Sequence, residues 1–285
     1  MLKANPNRFF HFKPVIIPKK MLKSLTPNQT DLISVDKLNS FLVRSRRMIQ
    51  TLLQKTKGKS IGQLIHLVIS KIVDHLTLIR YRLQYPNVKF GSGVTIRGKF
   101  SVEGKGQVKI GDYCYFFSFP NQTNKIYIPE SSACLTIGTH CFFSAASFLI
   151  EGDGKVEVDN HCYFNGTLIK SVNFIKFKKQ CLVSDATLVD TDFHSIQINR
   201  RDPNVQAKTK PICIDENAWI GSQSMIFKGV TIGKNSVVGA RTVVRQSVPD
   251  NVVVIGNPQQ IVKELDTTVL PYDFSQRSDQ TPSRR

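Results

Sequence analysis

The sequence predicts an all-β domain built as a parallel β-helix, and two regularities of the chain carry this prediction. The first is a period of six residues between Ile214 and Val248. An aliphatic residue opens each unit there: Ile214, Ile220, Ile226, Ile232, Val238 and Val244. A strict period of six fits neither an ordinary strand nor a helix of 3.6 residues per turn, and it is typical of a β-helix.

The second regularity is a longer template that opens each new coil. It begins with an aliphatic or aromatic residue and recurs six times, at Ile110, Ile137, Val158, Phe177, Ile214 and Ile232. The successive spacings are 27, 21, 19, 37 and 18 residues. Eighteen residues make three units of six, which is one triangular coil. The longer spacings therefore predict coils with inserted loops, the longest of them near residues 196–211.

The residues before the repeat predict a basic helical region. Residues 1–30 contain four prolines and predict an extended arm. Apolar residues recur at helical spacing from residue 34 to residue 55, and again from the N-cap residue Ser60 to Pro86, which ends the second helix. Two amphipathic helices need a partner for their apolar faces. The sequence leaves open whether they contact each other, the end of the β-helix, another subunit or a lipid surface.

The charge of the chain is concentrated at its N-terminus. The 285 residues carry a net charge of +18, of which residues 1–85 carry +13. This basic block suits an anionic membrane surface, nucleic acid or an acidic glycan, or else a solvated face. No apolar run reaches the ~18 residues that cross a bilayer, and the N-terminus lacks the apolar segment of a secretory signal. We expect a cytoplasmic protein without a nucleic-acid partner, and we leave peripheral contact with the inner membrane through residues 1–85 open.

The template also explains four of the six cysteines. Its fifth position is occupied in turn by Cys114, Cys141, Cys162, Cys181, Ala218 and Ser236. We interpret this position as a tight inner corner that requires a small side chain, where a free cysteine behaves as a small apolar residue. The cysteines therefore predict packing rather than disulfides or a metal site.

Two histidines occupy the fourth position of the same template. His140 and His161 stand where later coils have Asn217 and Asn235, so we interpret the position as a corner of the coil. A metal site formed by these two histidines with His194 is the alternative. The pattern favours the structural interpretation, and we predict no metal.

His194 is the histidine that the template does not explain. It lies where the chain leaves the predicted prism for its longest loop, which carries four basic residues and one aspartate between residues 196 and 211. The charge of this loop suits an acidic saccharide or the phosphate groups of a ligand, and a solvated surface loop is the alternative. An exposed histidine beside a loop can act as a general base near neutral pH. Asp192 lies two residues earlier, and its carboxylate could fix the imidazole tautomer. A solvated histidine at the edge of a loop is the alternative.

Six short motifs between residues 155 and 264 go beyond the bare repeat. They are Phe164-Asn165, Asp192-Phe193-His194, Asn217-Ala218-Trp219-Ile220-Gly221-Ser222, Lys228-Gly229-Val230-Thr231-Ile232-Gly233, Gly239-Ala240 and Gly256-Asn257-Pro258. Together they resemble the hexapeptide-repeat acyltransferases, in particular their sugar O-acetyltransferase group. The resemblance implies a left-handed coil, which is an exception to the usual right-handed crossover. It also implies a homotrimer with sites in the clefts between subunits, and acetyl-CoA as the acyl donor.

The resemblance further implies roles for individual residues. His194 matches the base that takes the proton of the acceptor hydroxyl, and Asn165 matches an asparagine that contacts the acceptor. Ser222 matches a residue on the acetyl-CoA whose backbone N–H could serve the thioester oxyanion, and Trp219 matches an aromatic residue beside the thioester. Positions that line the pantetheine and the nucleotide correspond to Ala240, Arg245, Gln246, Gln260 and Lys263.

The chain departs from the family pattern around the donor. Gly239-Ala240-Arg241-Thr242 replaces the common Gly-Ala-Gly-Ser, Arg245-Gln246 replaces the common Thr-Lys, and Gln260 replaces a basic residue. We therefore expect the phosphate contacts to move to Arg241 and Arg245.

These inferences lead to three predicted regions and one function. Residues 1–85 form the basic arm and helices, residues 86–250 the left-handed β-helix, and residues 251–285 a C-terminal segment with a flexible tail. The predicted function is acetyl-CoA-dependent O-acetylation of a hydroxyl on a bacterial surface saccharide, such as capsule, O-antigen or a precursor. One alternative is an N-acetyltransferase of an amino sugar nucleotide. The other is a non-catalytic trimeric scaffold or polyanion-binding protein.

Overall fold

The structure, a computed structural model, describes residues 61–202 and 204–274. By its contacts the chain divides into one unit of residues 1–69 and another of residues 70–285. The predicted N-terminal arm and the predicted helix over residues 34–55 lie outside the described residues. The second predicted helix is present as α1 (Ile61–Gln84), which ends shortly before Pro86. The predicted limits of the three regions, at residues 85 and 250, stay predictions.

Three sheets of short strands form the β-helix. Sheet A contains β1 (Val88–Phe90), β4 (Gln107–Ile110), β7 (Cys134–Ile137), β10 (Lys155–Val158), β13 (Phe174–Phe177), β16 (Ile212–Ile214) and β19 (Thr231–Ile232). Sheet B contains β2 (Thr95–Arg97), β5 (Tyr115–Phe117), β8 (Phe142–Ser144), β11 (Tyr163–Asn165), β14 (Leu182–Ser184), β17 (Trp219–Ile220), β20 (Val237–Val238), β22 (Val252–Ile255) and β23 (Gln260–Glu264). Sheet C contains β3 (Lys99–Gly104), β6 (Thr123–Ile128), β9 (Ser147–Ile150), β12 (Leu168–Ser171), β15 (Thr187–Val189), β18 (Met225–Phe227) and β21 (Val243–Val244).

From β1 to β21 the chain visits the three sheets in turn, so each coil in this range contributes one strand to each sheet. Within each sheet, strands of successive coils pair in parallel, and only the last pair, β22 with β23, is antiparallel. We name the bends after the sheets they join: the first corner runs from A to B, the second from B to C, and the third from C to A. The left-handed parallel β-helix of about seven coils, preceded by a helix, confirms the predicted fold.

Inward-pointing side chains of all three sheets fill the prism. Every residue that opens a template is at most 2% exposed: Ile110, Ile137, Val158, Phe177, Ile214 and Ile232. Rings from sheet B stack between coils, with centroids 4.8 Å apart for Phe116 and Phe143 and 5.1 Å apart for Phe143 and Phe164. Each fully buried side chain of this size contributes about 1.5–3 kcal/mol. The core therefore follows the six-residue period read from the sequence.

The fifth template position is the predicted tight inner corner. All six of its residues, from Cys114 to Ser236, are at most 1% exposed. The Cys141 thiol donates to the Asp159 carbonyl at 3.1 Å, and the Ser236 hydroxyl donates to the Pro249 carbonyl at 2.6 Å. Burial raises the pKa of the Cys141 thiol, which therefore stays protonated and inert. The packing interpretation of these cysteines is confirmed.

The fourth template position lies in the left-handed backbone region. Its six residues have φ angles between 58° and 67°: Tyr113, His140, His161, Gln180, Asn217 and Asn235. His140 stacks between Tyr113 and His161 at centroid distances of 5.0 and 5.1 Å, and Phe274 of the C-terminal segment covers His161 at 4.8 Å. Both histidines are therefore corner residues of a ring stack, as the template predicts.

The part of α1 beyond residue 70 packs on the first coil. Leu78 and Tyr81 are buried, and the Tyr81 ring meets Phe100 edge-on at 5.4 Å. Asp74 forms an ion pair with Arg97 at 2.9 Å. The opposite side of this helix exposes four aliphatic side chains: Ile72, Val73, Leu76 and Ile79. Within the described ranges, no helix combines the length and the hydropathy that a membrane span requires.

Candidate active site

The longest insertion leaves the prism at the third corner, between β15 and β16. Its root is fixed by the fully buried carboxylate of Asp190, which accepts hydrogen bonds from the Ser171 hydroxyl at 2.6 Å and from the Val172 amide at 2.9 Å. The Asp190 carbonyl accepts the amide of Lys210 at 3.0 Å, at the far end of the insertion. Both ends of the insertion are therefore held in place by hydrogen bonds to one buried residue.

His194 lies exposed just beyond this root. The residue before it, Phe193, has a φ of 60°, and its amide donates to the Thr191 hydroxyl at 3.0 Å. The His194 amide donates to the Asp192 carbonyl at 2.7 Å. This tight turn presents the imidazole to solvent at the third corner, a position that suits a general base.

The Asp192 carboxylate forms an ion pair with the Lys228 ammonium group. Each side chain is 24% exposed. Lys228 follows β18 at the same corner one coil further along, so the pair ties the His194 turn to the next coil. The orienting role predicted for Asp192 towards the imidazole stays a prediction. Lys228 was not predicted as a site residue, because its partner Asp192 lies 36 residues away in the sequence.

A second group of predicted residues lies at the second corner. Asn165 is exposed at the end of β11. Three coils later, Arg241 has a φ of 59°, and its Nε donates to the Gln223 side-chain carbonyl at 2.8 Å. The Ser222 hydroxyl donates to the Asp185 carboxylate at 3.0 Å, and Ala240 is exposed beside them. Asp185 and Gln223 were not among the predicted residues.

The remaining predicted donor residues lie near the last coils. Arg245 follows β21 at the third corner, where its guanidinium lies 5.3 Å from the centre of the Phe227 ring. The amides of Arg245 and Gln246 both donate to the Gln259 side-chain carbonyl, at 2.8 and 3.1 Å. Gln260 and Lys263 are exposed on β23, and Trp219, 48% exposed, begins β17 beside the first corner.

The predicted site residues thus occupy different corners of one chain. Asn165, Ser222 and Arg241 line the second corner, whereas His194 and Arg245 lie at the third. The two corners are separated by the width of sheet C, whose strands β12, β15 and β18 beside these residues have three or four residues and span about 10 Å. One chain alone therefore does not bring His194 and Asn165 together. Within residues 61–202 and 204–274, no cluster of three or more His, Cys, Asp or Glu side chains suits a metal ion.

Comparisons with known proteins find similarity over parts of the chain. The family model "Hexapeptide repeat of succinyl-transferase" matches residues 211–246. Galactoside O-acetyltransferase of Lactococcus lactis subsp. lactis (strain IL1403) is 36% identical over 92 residues, which are 32% of this chain and 44% of that protein. Galactoside O-acetyltransferase of Escherichia coli (strain K12) is 45% identical over 64 residues, 22% of this chain and 32% of that protein.

A solved structure is similar over a longer range. It is a hexapeptide-repeat acetyltransferase of Vibrio cholerae O1 biovar eltor complexed with acetyl coenzyme A, 19% identical, covering 82% of this chain and 91% of that chain with a TM-score of 0.38. This chain spans less than half the length of the two curated relatives above. With its six-residue period, its coiled fold and the matched repeat at residues 211–246, the chain is similar to the hexapeptide-repeat acyltransferases over these coils.

Proposed function

We propose that this protein is an O-acetyltransferase that moves the acetyl group of acetyl-CoA to a hydroxyl of a bacterial surface saccharide or its precursor. The observation that carries the proposal is the exposed His194 on a turn fixed by the buried Asp190 and by the Asp192–Lys228 pair. A general base must be accessible to the substrate and held in place. The similarity to galactoside O-acetyltransferases supports a sugar hydroxyl as the acceptor.

The proposed reaction is a direct transfer between two bound substrates. His194 takes the proton of the acceptor hydroxyl as its oxygen attacks the thioester carbonyl. The Ser222 amide faces the developing oxyanion. The carbon–sulfur bond then breaks, and the CoA thiolate leaves as a thiol with the proton from the imidazolium. Trp219 lies beside the thioester in this proposal. Ala240, Arg241, Arg245, Gln246, Gln260 and Lys263 hold the pantetheine and the phosphates.

The proposal includes a homotrimer, because one chain separates the predicted residues. If sheet C of each copy faces a threefold axis, the second corner of one copy meets the third corner of the next. Outward side chains of sheet C support this arrangement, since one row of its later coils contains Leu168, Thr187, Met225 and Val243, and Phe227 lies in the neighbouring row. Each cleft would then combine His194 of one copy with Asn165 of its neighbour.

The principal test is the variant His194→Ala. We expect kcat for acetyl transfer to fall about 10²–10⁴-fold, the usual contribution of a general base, while CoA binding and the unfolding temperature stay unchanged. His66→Ala, an exposed histidine on α1, is the matched control and should keep full activity. Wild-type turnover in His194→Ala would refute the mechanism.

A second assay compares sugars that carry a free amine with sugars that carry only hydroxyls. It would separate O-transfer from N-transfer.

We also propose a cytoplasmic protein that contacts the inner membrane through its N-terminal region. The exposed aliphatic residues between Ile72 and Ile79 and the +13 charge of residues 1–85 support this placement. Flotation with vesicles tests it. Vesicles containing phosphatidylglycerol should carry the protein, Leu76→Asp should weaken that binding, and neutral vesicles should not bind. Equal recovery with both vesicle types would contradict an electrostatic contact.

A further inference from the structure

A cavity of about 440 Å³ opens on the outer face of sheet A, beside the third corner. Its floor is a row of three outward side chains in register on neighbouring strands: Lys176 of β13, Cys213 of β16 and Thr231 of β19. Its volume falls within the range of about 300–1,000 Å³ that small-molecule sites occupy. The cavity is therefore large enough for a saccharide unit.

The wall of the cavity is built where the long insertion rejoins the prism. Phe174 and Lys210 line this side together with Gly229. The Gly229 amide donates to the Lys210 carbonyl at 3.3 Å, and a β-carbon at Gly229 would come within 2.9 Å of the Lys210 side chain. Because glycine has no β-carbon, the insertion can pack closely against the next coil at residue 229. The hydrogen bond from the Gly229 amide holds the Lys210 backbone at the rim of the cavity.

The cavity has a net positive charge. The Lys176 ammonium is paired with Glu157 at 3.0 Å, whereas the Lys210 ammonium has no ion pair among the residues that the structure describes. Burial raises the pKa of the Cys213 thiol, so this group is uncharged at neutral pH. One uncompensated ammonium, a hydroxyl and an aromatic ring thus share a single concave surface.

We propose that this cavity is an acceptor subsite for an acidic saccharide, in which Lys210 binds a carboxylate or phosphate and Phe174 packs against the sugar ring. Lys210 is exposed at the rim, where its ammonium group attracts an anion, and the ring offers apolar area to the C–H face of a sugar. The subsite rests on the function proposed above. It deepens that function because Lys210 and His194 belong to one insertion, whose two ends meet at Asp190.

Direct binding tests the subsite without any need for catalysis. Isothermal titration of the His194→Ala protein would use methyl glucuronide, glucose 6-phosphate and the neutral methyl glucoside. We expect at least one acidic sugar to bind about tenfold more tightly than the neutral one, and its identity distinguishes a carboxylate from a phosphate ligand. Lys210→Met in the same background should remove most of this preference.

Lys109→Met is the matched control, since Lys109 is an exposed lysine on the same face of sheet A three strands away. The control should keep the preference for the acidic sugar. An equal loss in both variants, or equal binding of acidic and neutral sugars, would overturn the subsite. Acetyl transfer by the wild-type protein to neutral sugars, with no acid preference, would leave the proposed function standing without it. Selective binding of the acidic sugar without any acetyl transfer would support the binding site for an acidic sugar and contradict the proposed acetyltransferase function.

Discussion

At the scale of single residues, the first corner shows how one backbone conformation accepts different side chains. Tyr, His, Gln and Asn all occupy the fourth template position at φ angles near 60°, a region that non-glycine residues rarely enter. Strain of about 1 kcal/mol or more per residue must be offset by the surroundings. In the coils from Tyr113 to His161, stacking of the rings offsets this strain. In later coils hydrogen bonds between side-chain amides offset it, with Asn217 donating to Asn235 at 3.0 Å.

The stack predicts acid sensitivity of the fold. Burial, and then the neighbouring His140, lower the pKa of His161 below its ordinary value of 6.5. His161 in the unfolded chain therefore binds protons more readily than in the folded chain. Its contribution to the free energy of unfolding is fully present above pH 6.5 and is lost as the pH falls towards the lowered pKa. Urea unfolding between pH 5 and 8 should show this loss. His161→Gln, which copies Gln180, should reduce its slope. An identical slope in this variant would exclude His161 as the cause.

Residue types at the corners were predictable because the template aligns them. Small residues at the fifth position and corner residues at the fourth follow from the six-residue period alone. The stacking of Phe274 on His161 does not, since the two residues lie more than 100 positions apart and only the path of the C-terminal segment brings them together.

At the scale of elements, the insertion between β15 and β16 is the segment that gives the prism a candidate site. Asp190 fixes its two ends, and the Asp192–Lys228 pair ties its first turn to the following coil. A half-buried ion pair contributes more to geometry than to net stability. We therefore assign Lys228 a positioning role for the His194 turn.

Lys228→Met should lower kcat about tenfold with little change in KM for acetyl-CoA, because the turn loses its tie to the next coil while the donor contacts remain. Asp192→Asn should behave alike, and the double variant should be no worse than either single one. Lys178→Met, which breaks the Lys178–Asp215 pair at the first corner, is the matched control. Additive losses in the double variant would show that the two residues act separately.

This insertion and His194 were predictable from the sequence, but the contacts that hold them were not. A gap of 37 residues between templates marks the inserted segment, and a histidine outside the template stands out. The partner of Asp192 could not be read in the same way. Lys228 follows by 36 residues, and the pairing depends on how the coils stack at the third corner. The separation of Asn165 from His194 likewise requires knowledge of which sheet each strand joins.

At the scale of the whole molecule, the predicted residues suggest that function requires more than one copy. Asn165 lies at the second corner and His194 at the third, and sheet C separates them. The mostly apolar outward side chains on the later coils of sheet C suit contact with another subunit. An isolated chain would then be folded and inactive.

Mixing two inactive variants tests this directly. Asn165→Ala and His194→Ala should each be inactive alone, whereas co-expression should restore activity at about a quarter of the sites if each cleft draws one residue from each of two copies. The measurement is acetyl transfer by tagged, co-purified mixed oligomers. Mixed oligomers that stay as inactive as their parents would place both residues in one chain's own site.

The two ends of the prism limit how these molecules can assemble. Parallel strands with open edges are templates on which further strands can add, and unchecked addition leads to fibres. Here Tyr81 of α1 covers the first coil through Phe100, and at the last coil β23 reverses direction against β22. Neither cap continues the repeat, so growth of one prism from the end of another is discouraged. The two caps therefore limit the prism to a fixed number of coils and leave its side faces as the surfaces on which the proposed trimer would form.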